Sequence, residues 1–395
     1  MSWQPLVRDR ADVEPILREI VAAVEAVPAT TVVDHLDRTL LRAYLAQEDV
    51  IPDPDDVAGT ELATAVDTFA KAPSGPALFG GAAGLGWCLL HVAGDETADQ
   101  ICSSLDGAIT RVVADWPGDY DLIGGLAGIG VYALARGDAG APLVSNIIDQ
   151  LARRAEPRRG GLAWHTPPER LPPWQREEAP AGYWNLGLAH GSAGVIALLA
   201  RCVAQGVAVD RARPLLDGAM AFLRSIEPAR TDARFPGWLV DDETSDRSSR
   251  LAWCYNDLGS ALAMLSAATA TGDAGWREEA LMLARGCAER TFEQGRIDDA
   301  GLCHGAFGAA HLFNRLRHAT GEACFTRAAT TWFECGLAMR SDRPLAGFPR
   351  KTDADHWAPD PSLLAGAIGV ALAMHAAITS YEPGWDQLLL VDVAP

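Results

Sequence analysis

Positive charge is scarce in this chain of 395 residues, which has 33 lysines and arginines against 52 acidic residues and a net charge of −19. Only two of the basic residues, Lys71 and Lys351, are lysines. Proteins that bind nucleic acid or anionic membranes use clustered basic side chains. The composition therefore argues against a nucleic-acid partner, and the dispersed acidic residues are typical of a soluble surface.

Long apolar runs and an export signal are also missing. No stretch of 18 uninterrupted apolar residues occurs, so we predict no transmembrane segment. The N-terminus has no basic region followed by an apolar run, so we predict no secretory signal. In such a chain, irregularly spaced cysteines are expected to be reduced thiols or metal ligands rather than disulfides. The eight cysteines are at positions 88, 102, 202, 254, 287, 303, 324 and 335.

The alternation of β-branched residues that marks strands is nearly absent, and a glycine-containing motif recurs in its place. The six copies are "FGGAAGLGW" (79–87), "IGGLAGIGV" (123–131), "LAHGSAGVI" (188–196), "WCYNDLGSA" (253–261), "LCHGAFGAA" (302–310) and "LLAGAIGVA" (363–371). One glycine aligns in all six copies, and the successive aligned glycines lie 44 to 66 residues apart. They are Gly84, Gly128, Gly194, Gly259, Gly308 and Gly369. That spacing suits a helix pair with variable loops.

These repeats predict an all-α fold. Each motif leads into a small, apolar helix, and amphipathic helices lie between the motifs. The apolar helices would form an inner ring and the charged ones an outer ring. We predict an α/α toroid of about six or seven helix pairs, with the motif glycines allowing close backbone approach and unusual φ angles.

We expect one catalytic domain over residues 1–395. Residues 1–75 would contribute N-terminal helices near 12–27, 34–47 and 60–71, one of them a degenerate first inner helix. Residues 157–184 would form a proline-rich insertion. This insertion and two further loops, 228–253 and 341–361, are rich in proline and tryptophan and lead into motifs. If all motifs lie on one rim, these loops crowd the same rim, as a binding site or as packing.

Cysteine and histidine occur inside the motifs at Cys254, Cys303 and His304. Zinc binds thiolates and imidazoles, and three protein ligands leave one coordination position open. Irregular backbone at a loop-to-helix junction would let the neighbours Cys303 and His304 reach one ion. The alternative is a pair of buried cysteines beside a capping histidine. His190 occupies the register of His304, which makes it a candidate fourth ligand or acid–base group.

In that order and spacing, "YDLIGGLAGIG", "GLAHGSAG", "WCY" and "LCHG" resemble the lanthionine synthetase C family of lanthipeptide cyclases over about residues 75–375. The resemblance implies an α/α toroid with one Zn²⁺ held by Cys254, Cys303 and His304. It implies an enzyme that cyclises a dehydrated precursor peptide by adding cysteine thiols to dehydroalanine or dehydrobutyrine.

The same resemblance implies a catalytic role for four further residues. His190 matches the acid–base histidine and Asp121 an active-site aspartate, while Arg250 and Tyr255 match residues beside the metal. An ordinary ion pair of Arg250 with Asp242 or Asp246 remains open. The chain departs from the family at Asn256–Asp257, where a glycine is usual. We expect Asn256 to tolerate a positive φ, and we expect Asp257 to bring a carboxylate near the metal.

The implied partners are the dehydrated peptide, a separate dehydratase and a peptide transporter. The implied location is the cytoplasm, either free or peripheral in a biosynthetic complex. Two alternatives stay open. One is a toroidal glycosidase or lyase with paired carboxylates, although no carboxylate pair recurs in the motifs. The other is a zinc-stabilised scaffold or a protein that adds glutathione to dehydrated residues.

Overall fold

The computed structural model describes residues 2–227, 233–241, 243–244 (backbone only), 250–352 and 356–393. The helices of this part of the chain are α1 (Glu14–Glu25), α2 (Val32–Leu45), α3 (Val57–Lys71), α4 (Ala82–Cys88), α5 (Glu96–Ala114), α6 (Leu126–Ala135), α7 (Ala141–Arg154), α8 (Pro173–Glu178), α9 (Ser192–Ala204), α10 (Val209–Arg224), α11 (Asn256–Thr271), α12 (Ala274–Ala288), α13 (Phe292–Gly295), α14 (Ala306–Thr320), α15 (Ala323–Ala338) and α16 (Ala367–Ile378). The strands are β1 (Ala155–Arg158), β2 (Gly161–Trp164), β3 (Trp184–Asn185), β4 (Trp238–Val240), β5 (Glu243–Thr244), β6 (Arg350–Lys351) and β7 (Trp357–Ala358).

Seven inner helices form a closed ring. Helix α2 packs against α4, then α6, α9, α11, α14 and α16 follow in turn, and α16 packs back against α2. Inner helices contact two inner neighbours and an outer helix and are therefore largely buried; every residue of α16, for example, is buried, whereas α2 is amphipathic. The predicted α/α toroid is confirmed, with α2 as an inner helix that no glycine motif precedes.

The outer ring has one helix for each inner helix. Six outer helices follow their inner partners in sequence: α3, α5, α7, α10, α12 and α15. The seventh is α1, from the opposite end of the chain, which packs against α16. The segment before α1 also bonds to α16, since the backbone N–H groups of Leu6 and Val7 donate to Ala377 O at 2.7 and 2.9 Å.

The aligned glycine of every motif lies where the packing leaves no room for a side chain. A Cβ placed on it would lie 1.8 to 2.3 Å from the carbonyl oxygen six residues earlier, which is far inside contact distance. The pairs are Gly84 with Leu78, Gly128 with Leu122, Gly194 with Leu188, Gly259 with Trp253, Gly308 with Leu302 and Gly369 with Leu363. The predicted close approach is therefore confirmed.

The loops before four of the seven inner helices cap them with their own carbonyls. In α14, the N–H groups of Ala306, Phe307 and Gly308 donate to the carbonyl oxygens of Asp299, Ala300 and Gly301 at 2.9, 3.3 and 3.2 Å. The same spacing of seven residues recurs at α4, α6 and α16. These bonds satisfy N–H groups that a helix leaves unpaired at its start, so no side-chain cap is required.

Unusual φ angles are not the general reason for the motif glycines. The glycines immediately before α4, α6, α9, α14 and α16 have φ between −103° and −142°. Among the motif glycines only Gly80 has a positive φ, +84°. That part of the sequence interpretation is wrong, because the packed carbonyl and not the backbone conformation excludes a side chain.

Hydrogen bonds between neighbouring loops hold all six motifs on one rim. The backbone N–H of Leu122 donates to Ala189 O, and that of Ala189 donates to Cys254 O, at 3.1 and 3.2 Å. At the position without a motif, the buried carboxylate of Asp37 on α2 accepts from the N–H of Leu363 at 2.8 Å. All six motifs therefore lie on one rim, which meets the condition under which the long loops crowd together.

The long loops carry the strands, all antiparallel. Strands β1 and β2 form a hairpin, β3 pairs with β4, which pairs with β5, and β6 pairs with β7. The β3–β4 pairing ties the 157–184 insertion to the loop before α11. In the described part of the chain, no helix is both long and apolar enough to cross a membrane.

The C-terminal segment, residues 384–393, packs into the ring. Its Asp386 is fully buried and accepts from the Arg315 guanidinium at 2.6 and 2.8 Å and contacts the His311 ring at 2.7 Å. The carbonyl of Leu389 accepts from the indole N–H of Trp253 at 2.9 Å. The segment therefore contacts the residue that precedes Cys254.

We predict that Gly308→Ala destabilises the protein by about 3 kcal/mol or more, because the new methyl would collide with a backbone carbonyl that cannot move freely. Gly286→Ala is the matched control, since it lies within α12 with nothing within 4 Å of the added Cβ. It should gain about 0.5–1 kcal/mol from helix propensity. Urea unfolding of both variants tests this, and equal shifts would contradict the packing explanation.

Candidate metal and catalytic site

The three predicted metal ligands come together at the rim. Cys254 precedes α11, and Cys303 and His304 precede α14, the next helix in the ring. The backbone N–H of Trp253 donates to Cys303 O at 2.9 Å, which locks the two loops side by side. The two Sγ atoms and an imidazole nitrogen of His304 all lie within 4.8 Å of one another.

The loop backbone explains how adjacent residues can both be ligands. Residues 302–305 are non-helical, so Cys303 and His304 escape the angular separation of helical neighbours. The Cys303 N–H is held by Leu364 O at 2.7 Å. Cysteine sulfur and imidazole nitrogen are donors that Zn²⁺ prefers, and three of them match a site with one open coordination position. The donor set therefore fits zinc.

The three side chains of this group shift one another's pKa values. Cys303 and His304 both interact with the Cys254 sulfur, which outweighs its burial and holds the pKa of Cys254 well below that of an ordinary thiol. The same contact with Cys254, with burial, raises the pKa of Cys303. It also raises the pKa of His304. The pocket thus stabilises a thiolate through its own side chains.

His190 and Asp121 form a hydrogen-bonded pair next to the metal group. The Nδ1 atom of His190 lies 2.6 Å from Asp121 Oδ2, while Asp121 Oδ1 accepts from the N–H of Gly124 at 2.9 Å. The Asp121 side chain is 11% exposed, whereas the His190 side chain is 42% exposed. This arrangement leaves Nε2 of His190 as the ring nitrogen available to a substrate.

The protein environment favours the protonated form of His190. Its partial shielding from water opposes protonation, but the hydrogen bond and the charge of Asp121, with smaller effects of Cys254 and Asp119, outweigh this and raise the pKa of His190 above 6.5. Because a raised pKa links protonation to folding, the stability contributed by the pair is complete below pH 6.5 and is lost as pH rises through the folded-state pKa.

Tyr255 and Arg250 border the same space. The Tyr255 ring centroid lies 6.1 Å from that of His190, and burial raises the pKa of its hydroxyl, which stays protonated. Arg250 is exposed, and its positive charge acts on the ligand group by favouring the thiolate of Cys254. The alternative partners Asp242 and Asp246 lie outside the described residues.

Arg250 occupies a position that serves a different purpose in the other repeats. Three residues before the motif, Asn185, Asp299 and Asp360 each accept, through Oδ1, the backbone N–H two residues later at 2.9 to 3.1 Å. These Asx turns open the junction loops. The fourth repeat has Arg250 in this register, a side chain that cannot accept. We did not predict this recurrence from the sequence, although Asn185, Asp299 and Asp360 each lie three residues before a motif.

The Asn256–Asp257 departure is accommodated in an unexpected way. Asn256 has φ +71°, as its type permits, and its Nδ2 donates to Phe235 O at 3.1 Å. The helix still begins there. The expectation that Asp257 places a carboxylate near the metal is wrong, since its carboxylate accepts from the N–H of Phe235 at 2.8 Å and pairs with the Arg290 guanidinium. Asp257 is not part of the Cys–His group.

Most of the predicted site residues line one cavity of about 560 Å³. Six of the seven predicted residues line it: His190, Arg250, Cys254, Tyr255, Cys303 and His304. Asp121 lines an adjoining cavity of about 290 Å³, which shares His190 and Tyr255. The long loops add Trp174, Gln175, Gly237 and Trp238 to the larger cavity.

Three other tryptophans of the long loops, Trp164, Trp184 and Trp357, do not line the cavity. Trp164 is fully buried, Trp184 lies under the Arg158 guanidinium at 3.5 Å, and Trp357 lies 4.5 Å from the Arg343 guanidinium carbon. The 341–361 loop provides no lining residue in its described part. The loops before α9 and α11 therefore form the wall, while the third long loop does not.

We predict that Asp121→Asn lowers the pKa of His190, because shielding remains while the carboxylate charge is lost. Histidine Cε1–H NMR titration of the folded protein measures this, with the resonance assigned by its absence in His190→Ala. Asp119→Asn is the control and should produce a smaller decrease, since Asp119 acts on His190 only through its charge. An unchanged pKa in Asp121→Asn would contradict the assigned cause.

Comparison with known proteins supports one family. The sequence model of the lanthionine synthetase C-like proteins matches residues 40–390. The nisin biosynthesis protein NisC of Lactococcus lactis subsp. lactis is 28% identical over 263 residues, which cover 60% of this chain. The match spans 62% of that relative's length.

The fold agrees with a solved structure. The structure of nisin cyclase superposes with a TM-score of 0.81 over 97% of this chain and 98% of that chain, at 22% identity. At this identity the likeness establishes the shared toroid. The family match, by contrast, extends over most of the sequence and includes all seven site residues. The chain therefore belongs to the lanthionine synthetase C-like family.

Proposed function

We propose that this protein is a zinc-dependent lanthipeptide cyclase. It would add cysteine thiols of a dehydrated precursor peptide to dehydroalanine or dehydrobutyrine residues, forming lanthionine or methyllanthionine rings. The observation that carries the proposal is the shared cavity, in which the Cys254–Cys303–His304 group and the His190–Asp121 pair face one space.

Cys254, Cys303 and His304 would hold one Zn²⁺. When bound, this ion would lower the pKa of a substrate thiol at its open position and so supply the nucleophile at neutral pH. Arg250 adds positive charge beside the site.

The reaction needs both a thiolate and a proton donor. The sulfur forms a bond to the β-carbon, the electron pair of the C=C bond moves to the α-carbon and its carbonyl as an enolate, and the α-carbon then takes a proton. Protonated His190 would deliver that proton from Nε2, while Asp121 holds Nδ1–H and keeps the ring oriented. The raised pKa of His190 suits this role because it increases the protonated fraction near neutral pH.

The substrate chemistry implies a preceding reaction and a reducing compartment. Dehydration of serine or threonine residues must supply the acceptor, which makes a dehydratase the expected partner, with a peptide transporter as a second candidate. The cysteines of the described residues are free thiols, and the substrate also carries a thiol. Both suit the cytoplasm.

We predict one bound zinc per chain in the wild type and its loss in Cys303→Ala. Losing a direct ligand should weaken binding by more than the roughly 10–100-fold that outer-shell changes cost. Cys335→Ala, a partly buried cysteine of α15, is the control and should retain zinc. Elemental analysis and chelator competition give the result. A wild type that binds no zinc would sink the cyclase proposal.

We predict that His190→Ala retains zinc but slows ring formation by about 100-fold or more, the usual contribution of a general acid. The substrate is a synthetic peptide with one dehydroalanine and one cysteine, and free thiols are counted by alkylation and mass spectrometry. His318→Ala is the control, because His318 stacks on Trp3 and does not line the cavity.

Three outcomes would contradict the assignment. Equal thiol counts with wild type and His190→Ala would remove the role of His190. A second arm supplies glutathione with a cysteine-free dehydrated peptide. A glutathione mass gain in this arm, without ring formation in the first, would favour the glutathione-adding alternative, and no reaction in either arm would favour a scaffold.

A further inference from the structure

We propose that Trp174 is a substrate-contacting residue that selects precursor peptides with an apolar side chain near the reacting position. This inference rests on the proposed function and adds a specificity determinant to it. In this role, the indole of Trp174 forms the outer end of an aromatic wall, which consists of the rings of Trp174, Trp238, Tyr255 and His190.

The exposure of Trp174 is the first observation. Five large hydrophobic side chains of the described residues are well exposed: Val112, Trp174, Met282, Phe292 and Tyr381. Trp174 is 49% exposed and is the one among them that lines the site cavity. A partly exposed tryptophan at a cavity is the type of side chain that most often dominates binding energy at a protein–peptide contact.

The support beneath Trp174 is the second observation. Helix α8 carries it, and a small apolar cluster, separate from the main core, fixes this part of the insertion: Leu171, Ala179, Tyr183 and Trp238. Gln175, the next residue, is buried and accepts from the Tyr183 hydroxyl at 3.1 Å. The guanidinium of Arg176 donates to Pro168 O and Leu171 O at 2.9 and 3.0 Å. Trp174 is thus presented on a preorganised platform.

The aromatic wall is the third observation. The centroid of Trp174 lies 6.2 Å from that of Trp238, which lies 6.4 Å from that of Tyr255, which lies 6.1 Å from that of His190. The path from Trp174 to His190 is therefore at most about 19 Å, which an extended peptide spans in five to six residues. The peptide side chain at Trp174 lies within about five positions of the one that reacts.

The chemistry of this wall selects an apolar side chain. The indole and phenol rings of this wall favour aliphatic and aromatic groups through buried area and ring contacts. The Trp174 indole itself offers an acidic side chain no opposite charge, so such a side chain would lose hydration there without compensation from the ring. A peptide with leucine at the contacting position should therefore bind better than one with glutamate.

Steady-state kinetics on the zinc-loaded full chain test the inference. The substrates are synthetic peptides with one dehydroalanine and one cysteine, carrying leucine or glutamate at each of the five positions outside the ring. Trp174→Ala should raise KM for the leucine peptides about 5–50-fold, with kcat changed less than about threefold, and should abolish the preference over glutamate. Trp174→Phe should restore most of the affinity.

Phe292→Ala is the matched control, because Phe292 is 53% exposed and stacks on Trp332 at 6.0 Å but does not line the cavity. It should leave KM and kcat unchanged. An unchanged KM in Trp174→Ala, or a loss confined to kcat, would overturn the inference.

A binding measurement separates this inference from the proposed function. In a His190→Ala background, peptide affinity is measured by fluorescence anisotropy with and without Trp174→Ala. Tight, leucine-selective binding that depends on Trp174 supports the inference even if the wild type forms no rings, a result that would reject the cyclase reaction alone. Equal affinity of the two variants rejects the role of Trp174 and leaves the cyclase proposal standing.

Discussion

The contact between a loop carbonyl and a helix glycine, repeated around the ring, is the constraint on which this structure depends. At each motif the carbonyl oxygen six residues earlier would lie 1.8 to 2.3 Å from a Cβ on the glycine, so only glycine fits. That contact turns each loop back over its helix start and lets the loop's carbonyls pair the helix N–H groups. Because the same geometry recurs six times, the loops meet on one rim and bond to one another. The metal ligands are neighbours because their loops are neighbours.

The site gains its chemistry from residues that depart from the common loop. Three other repeats have an Asp or Asn that opens the loop. The fourth has Arg250 at this position, and Cys254 and Tyr255 follow four and five residues later. The remaining Asx residues satisfy local backbone groups. Positions that the scaffold does not require thus carry the charge and the ligands, while the shared hydrogen bonds keep them in place.

Two segments outside the repeats complete the site from different directions. The insertion and the loop before α11 are joined by β3 and β4 and place Trp174 and Trp238 over the cavity. The C-terminal segment contacts Trp253 through Leu389 and is anchored by buried Asp386. The ring therefore supplies the ligands, whereas the loops shape what a substrate meets.

Much of this protein was determined by its sequence alone. The recurring glycines predicted the helix pairs, and the register of Cys254, Cys303, His304 and His190 predicted which side chains would share a site, because a repeat places equivalent residues at equivalent points. Only the tertiary structure decided how the ring closes, with α2 as the seventh inner helix and α1 as the partner of α16. It also decided that Asp257 pairs with Arg290 and not with the metal group, and that Trp174, but not Trp164, reaches the cavity. These outcomes depend on contacts between residues far apart in the chain, whose geometry no local pattern encodes.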